Sequence, residues 1–131
     1  MTAIDGELLV RIDDGIAHVT LNRPQARNAL TFGMYEELAK LCALAGTADD
    51  ADHIKAIVIA GAGDKAFAAG TDIGQFTAFE STEDGLRYEA KVEAVISQIE
   101  SCHVPVIAAL HGAVTGGGLV IAAAAHVRIA S

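Results

Sequence analysis

Apolar and polar positions alternate near the start of the chain: Leu8, Val10 and Ile12 are followed, across Asp13-Asp14-Gly15, by Ile16, His18-Val19 and Leu21. A period of two puts such side chains on one face of an extended strand, and an Asp-Gly pair suits a tight turn, so Glu7 to Leu21 predicts a β-hairpin. Asn22 to Leu30 is polar and proline-punctuated, and it ends at Thr31, whose hydroxyl suits the N-cap of a helix. Met34, Leu38, Leu41 and Ala45 then recur at helical spacing, with Glu36, Glu37 and Lys40 on the other face, which predicts a helix to about Ala45.

Gly46 to Asp52 is a polar link, and Ile54 to Ala60 is short and rich in β-branched residues, as a central strand is. Asp72 to Glu80 reads as a short or irregular segment. Thr82 begins a longer helix ending near Cys102, with Val92, Val95, Ile96 and Ile99 on one face and Glu89, Lys91, Glu93 and Glu100 mainly elsewhere. Pro105 stops it, Val106 to Leu110 is the next strand, Leu119 to Ala125 is an apolar helical stretch, and Val127 to Ala130 begins another strand. Strand, turn and helix thus recur twice in one order, which predicts an α/β fold with right-handed crossovers between parallel strands.

Two glycine-bearing stretches stand out: Phe67-Ala68-Ala69-Gly70-Thr71-Asp72-Ile73 and Val114-Thr115-Gly116-Gly117-Gly118-Leu119. Each follows an apolar run that reads as a buried strand, and each has glycine where the chain should turn. The second opens an apolar helix, whose first-turn N–H groups lack intrahelical acceptors and carry the positive end of its dipole. Two readings stand: close packing of helix on strand with no ligand, or two turns converging on one carbonyl to form an oxyanion hole. In the second, Thr71 and Gly117 serve as backbone N–H donors. Asp72 reads as an N-cap after the turn or as a direct participant in the site.

Composition narrows the choice of ligand. With 9 basic and 17 acidic residues the net charge is −8, which argues against nucleic acid and against anionic membranes as partners and favours a small molecule. At 131 residues and 52% apolar, the chain is expected to form one compact, soluble domain. The first residues lack the pattern of a signal peptide and no apolar run is long enough to span a membrane, so a cytoplasmic location is expected. Cys42 and Cys102 fall on apolar helical faces and are expected to be buried, reduced thiols.

Other chemistry finds little support. Gly61-Ala62-Gly63-Asp64-Lys65-Ala66 has the glycine spacing of a dinucleotide site, but no helix opens directly after it and no acidic residue ends a second strand at the right distance. The 5 histidines lack metal-ligand spacing, so no metal is expected. His111, near the second glycine turn, reads as a pocket residue or as a structural one. No serine stands in a nucleophile elbow. Phe76 and Met34 are pocket candidates whose plainer reading is core.

The order Leu21-Asn22-Arg23-Pro24, Asn28-Ala29-Leu30, Ala66-Phe67-Ala68-Ala69-Gly70-Thr71-Asp72-Ile73, then His111-Gly112-Ala113-Val114-Thr115-Gly116-Gly117-Gly118 resembles the enoyl-CoA hydratase/isomerase, or crotonase, superfamily over the whole chain. The resemblance implies a spiral of ββα units, here the N-terminal part of the family's core domain, residues 1–131, stopping before its C-terminal helical region. It implies an acyl-CoA thioester substrate, with coenzyme A as part of the substrate and no permanently bound cofactor, and an enolate-like intermediate held by the amides of Thr71 and Gly117. By position, CoA would lie along Gln25, Ala26, Arg27 and Ala29 and along Ala69, Asp72 and Ile73. Arg27 reads either as a contact to a CoA phosphate or as a solvated surface residue.

Where the family's hydratases carry a catalytic glutamate two residues after the glycine run, this chain has Val120, and their second glutamate lies beyond Ser131. Valine cannot transfer a proton. The expectations are therefore an enoyl-CoA hydratase/isomerase family enzyme of fatty acid metabolism, by name an enoyl-CoA hydratase although Val120 stands at the first glutamate position, and a homo-trimer or hexamer at full length; a superfamily isomerase or hydrolase; or a catalytically silent acyl-CoA binding or assembly module. The chain is about half of what the family needs, read as a truncated product, a natural half that pairs with another chain, or a fragment of a longer protein.

Overall fold

The computed structural model describes residues 2–4, 6–71 and 82–131. Strands β1 (Thr2–Ile4), β2 (Leu8–Asp13) and β3 (Ile16–Leu21) form an antiparallel ribbon. Its β2–β3 turn is the expected one, Asp14 and Gly15 taking φ of 51° and 79°. Beyond β3 the sheet continues in parallel with β4 (Ala56–Gly61), then the strands Val106–Leu110 and Val127–Ala130, giving six strands among the described residues. Strand β1 was not foreseen, because its register with β2 is a pairing rather than a local pattern.

Helix α1 (Phe32–Leu44) starts where a cap was expected: the Thr31 Oγ1 accepts from the Met34 amide at 3.2 Å, and the Met34 Sδ accepts from the Thr31 amide. Helix α2 (Thr82–Glu100) packs against α1. Alternate residues of the sheet, Ala17, Val19, Leu21, Ile57, Ile59, Val106 and Ala108, point into the core with Leu38, Cys42, Val95 and Ile99 from the helices. Burial of these side chains, at about 25 cal/mol per Å² of apolar surface, is the main force joining sheet and helices.

One expectation is corrected. The stretch from Phe67, expected as a glycine turn at the end of the Ala56–Ala60 strand, opens instead as a strand of its own, β5 (Ala66–Ala69), paired in parallel with Ala113–Thr115 in a separate two-stranded sheet. Its backbone groups find partners in a segment far along the chain, which no local pattern reveals. In chain order the remaining elements are β6 (Val106–Leu110), β7 (Ala113–Thr115), α3 (Gly117–Ala124) and β8 (Val127–Ala130). Helix α3 begins within the glycine run rather than at Leu119, and packs against β5 and β7. Residues of β8 are exposed throughout, and Leu119 and Ile129 are 56% and 59% exposed. Among the described residues, no helix is long and apolar enough to cross a membrane.

Candidate functional site

The two glycine turns meet. Gly70 ends β5 with φ 89°, and Gly116, with φ 52°, is the N-cap of α3. A Cβ on Gly116 would stand 2.9 Å from the Gly70 Cα, so the two backbones touch where any side chain would separate them. The Gly70 amide donates to the Thr115 carbonyl at 2.9 Å, while the Gly70 carbonyl accepts from the Leu30 amide at 3.0 Å. Among the described residues all peptide bonds are trans, so the Thr71 N–H points opposite to the Gly70 carbonyl, away from Leu30. At Gly117 the first-turn N–H has no intrahelical acceptor, because α3 starts there.

The three glycines divide the work. Gly118 is buried, and a Cβ there would collide with the Ala68 carbonyl, so this position serves the close packing of α3 on β5. Gly116 serves the contact between turns. Gly117 faces hydroxyls: a Cβ on it would collide with the Tyr35 Oη and stand 2.8 Å from the Thr71 Oγ1. Thr71 and Gly117, singled out together in the sequence, are thus adjacent.

The hydroxyls form a chain that sequence reasoning missed. Tyr35 and Thr71 share a hydrogen bond of 2.8 Å, and Thr71 and Tyr88 share one of 3.1 Å. The Tyr88 ring lies 5.4 Å from that of Phe32. Tyr35 is 1% exposed, and burial pushes its phenol up to about 12 although the bond to Thr71 pulls the other way, so it stays a neutral hydroxyl near pH 7. The buried face of α1 is Met34, Tyr35, Leu38 and Cys42, with Leu41 only partly buried. Tyr35-Leu38-Cys42 is also a helical spacing, and a tyrosine in it was the available signal, since a buried phenol needs a partner.

The segment before α1 is tied to this region. Pro24–Ala26 form one 3-10 turn, and Arg27 and Asn28 both take left-handed conformations, φ 51° and 58°. Asn28 is wholly buried; its amide donates to the Ala62 and Ala66 carbonyls at 3.0 and 2.9 Å, and its Oδ1 accepts from the Arg23 amide. The Ala69 amide donates to the Arg27 carbonyl at 2.9 Å. Gln25 and Arg27 are exposed and Ala26, Ala29 and Ala69 half-buried, so these expected binding residues gather beside the first glycine turn. Arg27 lines a cleft of about 190 Å³ with Pro24, Asn28, Gly63, Asp64 and Lys65. Asp72, Ile73 and Phe76 lie outside the described residues.

The competing motifs have structural explanations. A Cβ on Gly61 would collide with the Ala66 and Phe67 carbonyls, so that glycine admits a neighbouring strand, and β5 rather than a helix follows it. The His111 Nε2 stands 3.0 Å from the Gly63 carbonyl, a structural pairing at the edge of a wider cavity. Met34 is a capping and core residue. Val120 is half-buried, and its amide donates to the Gly116 carbonyl in the first turn of α3. Cys42 and Cys102 are free thiols, the first buried and the second half-buried, and burial pushes the Cys42 thiol up to about 12. Among the described residues, no group of three His, Cys, Asp or Glu could hold a metal ion.

Comparison with known proteins finds relatives of the chain. A family model described as enoyl-CoA hydratase/isomerase matches residues 11–131. A Bacillus subtilis protein named "Probable enoyl-CoA hydratase" is 39% identical over 120 residues, covering 92% of this chain and 45% of its own length. The short-chain-enoyl-CoA hydratase of Clostridium acetobutylicum is 35% identical over 116 residues, covering 88% and 43%. The crystal structure of an enoyl-CoA hydratase from Mycobacterium smegmatis superposes with a TM-score of 0.83 at 35% identity, over 95% of this chain and 47% of that one. The chain therefore spans about half the length of these relatives and corresponds to their N-terminal part.

Proposed function

The chain belongs to the enoyl-CoA hydratase/isomerase family, and from that premise we propose that it binds an acyl-CoA thioester and stabilises negative charge on the thioester oxygen with the backbone amides of Thr71 and Gly117. Loss of a proton alpha to the carbonyl, or attack on the conjugated double bond, moves charge onto that oxygen. Fixed N–H donors aimed at it lower the barrier, and removing one such donor costs about a hundredfold or more in rate. The observation that carries the reading is the meeting of the two glycine turns, with Gly116 against Gly70 and Gly117 against Thr71.

The CoA moiety runs along Gln25, Ala26, Arg27 and Ala29 and along Ala69, Asp72 and Ile73, mostly through main chain, with the Arg27 guanidinium available to a phosphate. Val120 offers no proton, so enoyl-CoA hydration draws its acid and base from residues outside this chain. As a whole protein we place it among cytoplasmic, homo-oligomeric enzymes of fatty acid metabolism. Val120 specifically favours a second reading, an acyl-CoA binder without turnover.

Titration with butyryl-CoA, alongside loss of crotonyl-CoA enoyl absorbance, tests both. Binding with turnover is the expected result for the enzyme, binding without turnover selects the silent binder, and no binding of either thioester overturns the proposal. Val120→Glu in the protein expressed from its gene should raise hydration if the second acid/base group is in place.

A further inference from the structure

Tyr35 touches both residues whose amides carry the proposed function. Its hydroxyl bonds to the Thr71 side chain at 2.8 Å and fills the space that a Cβ on Gly117 would need. Tyr35 comes from α1, while Thr71 follows β5 and Gly117 starts α3, so one buried phenol bridges three elements. We propose that Tyr35 is a positioning residue: its hydroxyl sets the separation of the Thr71 and Gly117 amides, and thereby the preference of the site for an enolate over a neutral thioester. The inference rests on the acyl-CoA reading above.

The physical argument is one of preorganisation. Thr71 sits one residue past Gly70, at the end of a short strand, and Gly117 is the first residue of an 8-residue helix, so neither amide is held by a long hydrogen-bonded ladder on both sides. Donors gain their effect by being fixed before charge develops, and a shift of about 1 Å is enough to lose much of it. The chain Tyr35–Thr71–Tyr88 supplies that restraint, since Thr71 is gripped from α1 and α2 together. A tyrosine retained only for packing would need a partner for its hydroxyl, but that partner need not be a residue of the site.

Tyr35→Phe removes one oxygen and leaves the Thr71 hydroxyl its bond to Tyr88, so no buried polar group is orphaned. Thr71→Val breaks the same contact from the other side, and the bond to Tyr88 with it, while keeping the backbone amide. Each is titrated in the whole protein with acetoacetyl-CoA, which ionises to an enolate, and with butyryl-CoA, which does not. The expected result is acetoacetyl-CoA affinity lowered about tenfold in both variants, less than the loss of a direct donor, with butyryl-CoA changed less than about twofold. The double variant should be no worse than Thr71→Val alone, since that change already removes the contact with Tyr35. Equal weakening of both probes, or no change in either variant, overturns the inference. Failure of the unmutated protein to bind either probe overturns the acyl-CoA reading itself, and with it this one.

Discussion

Gly116 approaches Gly70 so closely that a Cβ on Gly116 would lie 2.9 Å from the Gly70 Cα, and Gly116 also has a φ of 52°. Gly116→Ala combines steric contact against backbone with a conformation that L-residues avoid. The expected cost is about 1–3 kcal/mol, read from the midpoint of denaturant unfolding, together with weakened acyl-CoA binding as the two turns part. Unchanged binding in a folded Gly116→Ala protein would separate the turns from the site.

Gly117→Ala meets a different obstacle, since the Cβ would collide with the Tyr35 hydroxyl rather than with backbone, and the φ of Gly117 is not positive. Overpacking of this kind costs about 1–3 kcal/mol. Adding Tyr35→Phe removes the obstructing oxygen, so the double variant should recover part of the lost stability. A purely additive pair, measured by thermal or denaturant unfolding, would contradict the contact.

The buried Asn28 side chain joins the loop before α1 to the start of β5 through its bonds to Ala62, Ala66 and the Arg23 amide, the one to Ala66 fully buried and the other two half-buried. Asn28→Ala leaves two carbonyls and one amide without that partner, and a fully buried orphan costs about 1–3 kcal/mol, a half-buried one less. A total near 3 kcal/mol is expected after local rearrangement, with faster proteolysis between Arg23 and Lys65. Asn28→Gly restores the left-handed conformation but not the bonds, so it should rescue little.

Asp50 makes a pH-dependent contribution. Its carboxylate accepts from the amides of Gly46, Ile54 and Asp52, and these bonds, that to Gly46 first, hold it below the ordinary carboxylate range while burial opposes them. A folded-state value lowered in this way gives stability that is present above the unfolded value, about 3.9, and is lost as pH falls through the folded one. Asp50→Asn should therefore be less stable than the unmutated protein at pH 6, and the gap should shrink as the pH is lowered below about 4. A gap independent of pH would assign the effect to shape alone.

Much of the chain declares itself locally. The alternation from Leu8 to Leu21, the Asp-Gly turn, the Thr31 cap and the apolar faces of α1 and α2 are properties of neighbouring residues, and each appears in the structure close to where pattern puts it. The glycines at 70 and 116–118 likewise announced tight backbone, because no other residue is so permissive.

What the sequence by itself determined was the hairpin, the three helices and the parallel strands β4, β6 and β8, though not β1, β5 or β7, together with the family and the two glycine turns as a pair. What only the tertiary structure decided was how distant residues meet: Gly70 against Gly116, β5 beside β7, Asn28 on Ala62 and Ala66, and the Tyr35–Thr71–Tyr88 chain. The physical reason is the range of the forces involved. Propensity, capping and periodicity act over one or two turns of chain and leave a local signature, whereas parallel pairing and a buried hydroxyl's choice of partner depend on what the folded core brings alongside.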